Sequence, residues 1–274
     1  MAKLSKQQTK MHRQACEILE KETLTEDEKL FVLDHWHEGA DRPVSESGTF
    51  FTPTSLASDF ELDVLRQGRI LDVCAGIGAL SYYVRLRDQH EKAITEHVCI
   101  ELNPRFVEIG KKIIPEATWI CADVFELHTL DLGHFDCVFG NPPFGKNGRT
   151  GHKGKRFDFE LAVIELVSKF SDYGAFIIPQ TSAPFQYSGR PYYEERLTGK
   201  AKKFKDLTGL ELIAGVGIDT NTFVNDWKST SIITEVVTVD FEEHRRREAE
   251  AASARAERAA NTDLTEYREQ LALI

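Results

Sequence analysis

From Gly68 onward, short apolar runs alternate with helix-length amphipathic segments, and few architectures accept that alternation. Residues 69–74, 97–101, 118–123, 135–139 and 175–179 read as buried strands, rich in β-branched and aromatic side chains. Residues 79–87, 105–114 and 157–170 read as the helices between them. Strands that alternate with helices require a parallel sheet with right-handed crossovers. Two further strand candidates, 210–216 and 231–241, have no clear helix between them. They are expected to form an antiparallel pair at one edge.

Ligands of open α/β sheets bind beyond the carboxyl ends of the strands, so the residues found there carry the chemistry. The first strand runs through Asp72 into Ala75-Gly76-Ile77-Gly78. Glycines at such a turn admit a ligand close to the backbone, and the following helix offers free N–H groups. Glu101 ends the second strand and Asp123 the third. A carboxylate in the first of these places can accept from ribose hydroxyls, and one in the second from an adenine amino group. The fourth strand stops at Asn141-Pro142-Pro143-Phe144. Its prolines fix φ and remove backbone donors, which leaves the carbonyls of Asn141 and Pro142 free to face a site. Asn141 adds an amide acceptor and donors, and Phe144 adds a flat π face. Two acceptors beside an aromatic platform suit the exocyclic amino group of a planar base. A Pro-Pro turn closing over a buried Phe would read the same in these four residues alone. Polar residues at four successive strand ends favour a site.

Length and composition set the frame. A chain of 274 residues with 41% apolar and 10% aromatic content can bury a sizeable core. Residues 1–40 read as helical, with a capping box at Thr25–Glu28. Phe50-Phe51-Thr52-Pro53 leads into a helix over 54–65; such an element can line a small-molecule pocket or serve as a hydrophobic staple. No apolar run reaches the length of a membrane span, and neither a signal peptide nor a membrane partner is expected; the protein reads as cytoplasmic. The five cysteines show no metal-type spacing, and Cys74, Cys99, Cys121 and Cys137 are expected as small buried hydrophobes beside strands. No metal is expected.

A net charge of −10 argues against a protein that coats nucleic acid non-specifically. A local basic surface remains open, and two clusters offer one. Lys146, Arg149, Lys153, Lys155 and Arg156 follow the Asn-Pro-Pro-Phe corner and are candidates for substrate binding. Lys200, Lys202, Lys203 and Lys205 read better as a solvated helix face. From Glu242 the charged, Ala-rich tail reads as a solvated single helix or frayed arm.

The ordered set Gly76-Ile77-Gly78, Glu101-Leu102-Asn103-Pro104, Asp123 and Asn141-Pro142-Pro143-Phe144 resembles the class I S-adenosylmethionine-dependent methyltransferases that methylate amino groups. With Phe50-Phe51-Thr52-Pro53 upstream, the order is similar to that of γ-group N6-adenine DNA methyltransferases and the modification subunits of type I restriction systems. The resemblance covers roughly residues 48–241. It implies a Rossmann-like, mostly parallel seven-stranded sheet with helices on both faces and an antiparallel edge strand. A helical extension (1–47) would precede the catalytic domain (48–241), and the charged tail (242–274) would follow it.

The resemblance also implies site roles. Phe51 and Thr52 would contact the methionine part of S-adenosylmethionine, while Asp72 with Ala75, Gly76 and Gly78 would shape its pocket. Glu101, beside Leu102, would hold the ribose, and Asp123, beside Val124, the adenine. Asn141, Pro142, Pro143 and Phe144 would receive a flipped adenine. Double-stranded DNA is the expected substrate, with RNA as the alternative. Only the charged tail follows Phe241, so specificity is expected from the N-terminal helices, the basic loop, residues 180–190 or a partner subunit; a homodimer or a specificity partner is the expected assembly. Protein glutamine methyltransferases share the corner but usually end it in Tyr. A catalytically silent scaffold would not need every motif residue, and a dehydrogenase has no use for the corner.

Overall fold

A computed structural model describes residues 4–37, 50–144, 156–228 and 232–271, with side chains through 258. Helices α1 (Lys6–Leu19) and α2 (Glu26–His35) open the chain, each started by a reciprocal capping box, Ser5 with Gln8 and Thr25 with Glu28. A short α3 (Thr54–Phe60) precedes the alternating core. That core comprises β1 (Gly68–Val73), α4 (Ala79–Glu91), β2 (Ile94–Glu101), α5 (Pro104–Ile113), β3 (Thr118–Cys121) and β4 (Phe135–Gly140). It continues with α6 (Phe159–Val167) and β5 (Ser171–Pro179). A two-stranded hairpin, β6 (Phe185–Gln186) and β7 (Glu194–Glu195), leads to α7 (Gly199–Thr208), β8 (Thr234–Asp240) and α8 (Phe241–Leu271).

The main sheet has the order β3-β2-β1-β4-β5-β8, with every pair parallel except β5–β8. Strand side chains alternate between faces, and each face builds its own core. Ile70, Cys99, Phe139 and Ile177 meet α1 to α5 on one side; Leu71, Ile100, Val138 and Phe176 meet α6, α7 and the start of α8 on the other. The chain runs outward from β1 to β3, then returns to start again at β4. The β1/β4 junction is therefore the topological switch point where such sheets bind ligands.

The sheet has six strands where seven were expected. Residues 210–216 contribute one antiparallel bridge, Ile213 with Thr238. Asp63 Oδ1 takes the Val216 N–H at 2.8 Å, and Gly215 lies against the same carboxylate so closely that a Cβ would sit 1.8 Å from it. That contact bends the segment out of the ladder after one bridge. The edge pairing expected from sequence survives in reduced form.

Among the described residues no helix is long and apolar enough to cross a membrane. Cys99 and Cys137 are buried, but Cys121 is exposed: β3 ends at it on the sheet's outer edge.

Candidate active site

A cavity of about 270 Å³ opens at the switch point. Its wall includes Phe51, Thr52, Asp72, Ala75, Gly76, Glu101, Leu102, Asp123, Val124 and the Asn141–Phe144 corner. All the residues expected to hold cofactor or base thus line one space, with one exception. Gly78, the N-cap of α4 at φ 91°, stands behind the wall, where a Cβ would meet Ile114 at 2.7 Å.

The turn after β1 is built by backbone geometry. Cys74 takes the left-handed region (φ 61°), and Ala75 N–H continues the pairing to the Ile100 carbonyl at 3.0 Å. Gly76 is also left-handed (φ 58°), and a Cβ there would lie 3.1 Å from the Phe51 ring. Glu101 braces this turn from the next strand. Its Oε2 accepts from Gly76 N–H at 2.9 Å and its Oε1 from Asn103 N–H at 2.8 Å. Asp123 caps the 3₁₀ turn after β3, accepting from Phe125 N–H at 3.0 Å.

Charge in the cavity is one-sided. Asp72, Glu101 and Asp123 line it, and no Lys, Arg or His does among the described residues. Burial pushes Asp72 up to about 7, with the Ser81 hydroxyl opposing and Glu101 adding to the rise. Burial likewise pushes Glu101 up to about 7, opposed by the N–H groups of Asn103 and Gly76. A site of this kind accommodates a cation and repels a pyrophosphate.

Asn141 has the most constrained polar group. Its Nδ2 donates to the Phe50 carbonyl at 3.2 Å and to Thr52 Oγ1 at 2.9 Å. Flipping the amide would set its oxygen against the Phe50 carbonyl, so the orientation is fixed. Asn141 Oδ1 is thereby left buried without a partner. Phe144 is largely buried, 6.2 Å from the Phe50 ring centroid and 6.5 Å from that of Trp227.

The fold behind these walls is shared. No protein-family model matches the chain, and no curated protein matches it. Among solved structures, a type I restriction-modification methyltransferase subunit from Streptococcus thermophilus superposes with a TM-score of 0.52 at 14% identity. The match covers 78% of this chain and 48% of that subunit, about half its length. The fold is that of the class I methyltransferases. A provisionally assigned RNA methyltransferase from Pyrococcus horikoshii is similar at 17% identity and TM-score 0.48, over 78% of this chain and 97% of its own. TrmN from Thermus thermophilus is similar at 14% and 0.44, over 68% and 48%.

Of the five cations expected to hold substrate, Lys146, Arg149, Lys153 and Lys155 lie outside the described residues. Arg156 pairs with Glu165 and lies over the Phe157 ring. The second basic cluster is neutralised locally: Lys200 pairs with Asp158, Lys202 with Asp206 and Lys205 with Glu211. Lys203 donates to the Arg156 carbonyl.

Three contributors to the site escaped the sequence reading. Phe106, on α5, meets Phe51 edge-on at 5.0 Å and lines the cavity; the sequence placed it only within the helix read over 105–114. Trp36 backs Phe51 at 5.7 Å, which ties the N-terminal helices to the cavity wall. Trp227, from the segment before β8, packs on Phe144 with no local signal at all.

Proposed function

We propose that the chain is an S-adenosylmethionine-dependent N6-adenine methyltransferase acting on DNA. The observation that carries this reading is the buried, partnerless Asn141 Oδ1 at the cavity, fixed as an acceptor by the two bonds its Nδ2 makes. A buried acceptor without a donor costs about 1–3 kcal/mol, and an amino group of substrate repays that cost.

The cofactor fits the donor set. The anionic wall suits its positive charge, Glu101 and Asp123 would hold its ribose and adenine, and Phe51 and Phe106 supply an apolar side. When bound, it supplies an electrophilic methyl group on a cationic sulfur. The chain itself supplies position. Asn141 Oδ1 and the Pro142 carbonyl accept the two N–H bonds of the target amino group and draw its lone pair out of ring conjugation. Phe144, at the cavity wall, offers a face for the flipped base, its ring steadied by contacts with Phe50 and Trp227. The amine becomes cationic on methylation, and its surplus proton passes to water after transfer. No side chain has to remove a proton first, so the rate gain is mostly orientation and electrostatics.

Two observations support DNA. Thr52 of the upstream Phe-Phe-Thr-Pro element is bonded directly to Asn141, so that element and the corner form one unit. The type I modification subunit is similar in fold. The test is transfer of labelled methyl from S-adenosylmethionine to unmethylated duplex DNA and, in parallel, to total RNA, followed by digestion to nucleosides. N6-methyladenine in DNA is the expected product. Label in RNA alone would move the assignment to an RNA adenine enzyme, and label on cytosine or protein would overturn the adenine reading. No label in either nucleic acid, despite bound cofactor, would point to a missing partner or a silent scaffold.

A further inference from the structure

Behind Asp72 a buried polar chain runs away from the cavity. Ser81, on α4, has its Oγ 2.6 Å from Asp72 Oδ2, 2.9 Å from His97 Nε2 and 3.4 Å from Cys99 Sγ. Asp72, Ser81 and His97 are all at most 3% exposed. Asp72 Oδ1 and His97 Nδ1 have no partner. The Ser81 hydroxyl carries one proton, so it can donate to Asp72 or to His97 but not to both.

That single proton makes the chain two-state. With Asp72 ionised, Ser81 donates to Oδ2 and His97 donates from Nε2–H to Ser81. With Asp72 protonated, its O–H donates to Ser81, Ser81 donates to a bare Nε2, and the His97 proton sits on Nδ1. Both arrangements satisfy every link between the three side chains. They differ by one proton taken from or given to solvent and by the tautomer of a neutral imidazole.

We propose that Ser81 and His97 are positioning residues that set the charge state of Asp72, so that a cationic ligand binding in the cavity releases one proton. This rests on the cofactor part of the reading above, and on no assumption about the nucleic acid. The groups facing this chain are few. Glu101 and Asp123 line the same cavity, Cys74 and Cys99 adjoin as thiols held neutral by burial, Arg85 acts on His97 and Cys99, and Glu116 acts on Cys99. Among the described residues no cation lines the cavity to hold Asp72 ionised when it is empty. Burial, with Arg85, drives His97 down to about 3, so the imidazole relays without charging.

The experiment is calorimetric titration of the full chain with S-adenosylhomocysteine, which keeps the ammonium group, between pH 6 and 8.5. Each pH is measured in two buffers of different ionisation enthalpy, alongside ¹⁵N-histidine spectra. Asp72 should contribute close to one released proton at pH 6 and none by pH 8.5, a contribution that alone makes binding about tenfold weaker at pH 6 than at pH 8. The His97 ring should stay neutral throughout and move from the Nδ1–H to the Nε2–H tautomer on saturation at pH 6.5. Ser81→Ala removes the donor that holds Asp72 down, so the midpoint should rise by about one pH unit. Glu101 is untouched by that change, so the difference isolates Asp72.

Binding that is independent of pH, an unmoved His97 tautomer, or a Ser81→Ala profile identical to wild type would each overturn the proposal. If Ser81→Ala does not fold, proton release and the tautomer shift in the unmutated chain still decide it. Failure of S-adenosylhomocysteine to bind at any pH would instead overturn the cofactor reading, and this proposal with it.

Discussion

Two carboxylates of similar burial stand at neighbouring strand ends and are furnished in opposite ways. Glu101 has both oxygens engaged by backbone N–H groups of two loops. Asp72 has one oxygen on a serine hydroxyl and the other without a partner. The first is part of the scaffold, because its bonds fix the turns that shape the cavity. The second is reserved, because its unfilled valence finds use only when something enters. Asn141 belongs with Asp72, its donors spent on holding still and its acceptor left over. Unsatisfied buried polar atoms thus separate the residues that build this site from those that await a ligand.

The comparison breaks most visibly at Glu101. Glu101→Ala leaves the Gly76 and Asn103 N–H groups without acceptors, and we expect a loss of about 2–3 kcal/mol of stability in denaturant melts. Cofactor affinity should fall at least tenfold with it.

Asp72→Asn should act with the opposite sign. A carboxyl raised to about 7 in the folded state destabilises the fold once ionised, and the unfolded carboxyl ionises near 4. The ligand-free variant should therefore melt ~2–6 °C higher than wild type above pH 7. That gain should shrink as pH falls from 7 and vanish below about 4, while cofactor affinity is lost at every pH. Equal melting at pH 8 would mean that Asp72 is scaffold like Glu101.

Gly76→Ala is a smaller perturbation. It places a Cβ 3.1 Å from Phe51 at a positive φ, and we expect about 1 kcal/mol of destabilisation. Titration should show weaker cofactor binding, because Phe51 must move. At the far end of the scale, Lys202→Ala removes an exposed pair with Asp206 and should change stability by about 0.5 kcal/mol or less. Methyl transfer should be unaffected if that helix face is solvated rather than substrate-bound.

What was legible in the sequence was local. Asp72, Glu101, Asp123 and Asn141 each end an apolar run, and a parallel sheet sets such ends side by side without further information. The missed parts depend on contacts between distant segments. Trp227 reaches Phe144, and the next residue, Lys228, donates to the carbonyls of Leu33 and Trp36 at 2.7 and 2.9 Å, clasping α2. Asp63 turns the strand candidate at 210–216 into a single bridge for the same kind of reason. Ser81 and His97 did leave a trace: each is a polar residue beside apolar ones, Leu80-Ser81-Tyr82 in α4 and His97-Val98-Cys99-Ile100 in β2, and such residues need a partner when buried.

The most direct test of the central claim is to separate holding the cofactor from receiving the amino group. Asn141→Ala should leave S-adenosylhomocysteine affinity within about tenfold of wild type, since Glu101, Asp123 and the β1 turn remain. Methyl transfer to adenine should fall about 10²–10³-fold, the usual cost of deleting one preorganised polar contact. Transfer that persists within a few-fold of wild type while the cofactor still binds would contradict the account, because the buried acceptor at the end of β4 would then have no part in the chemistry.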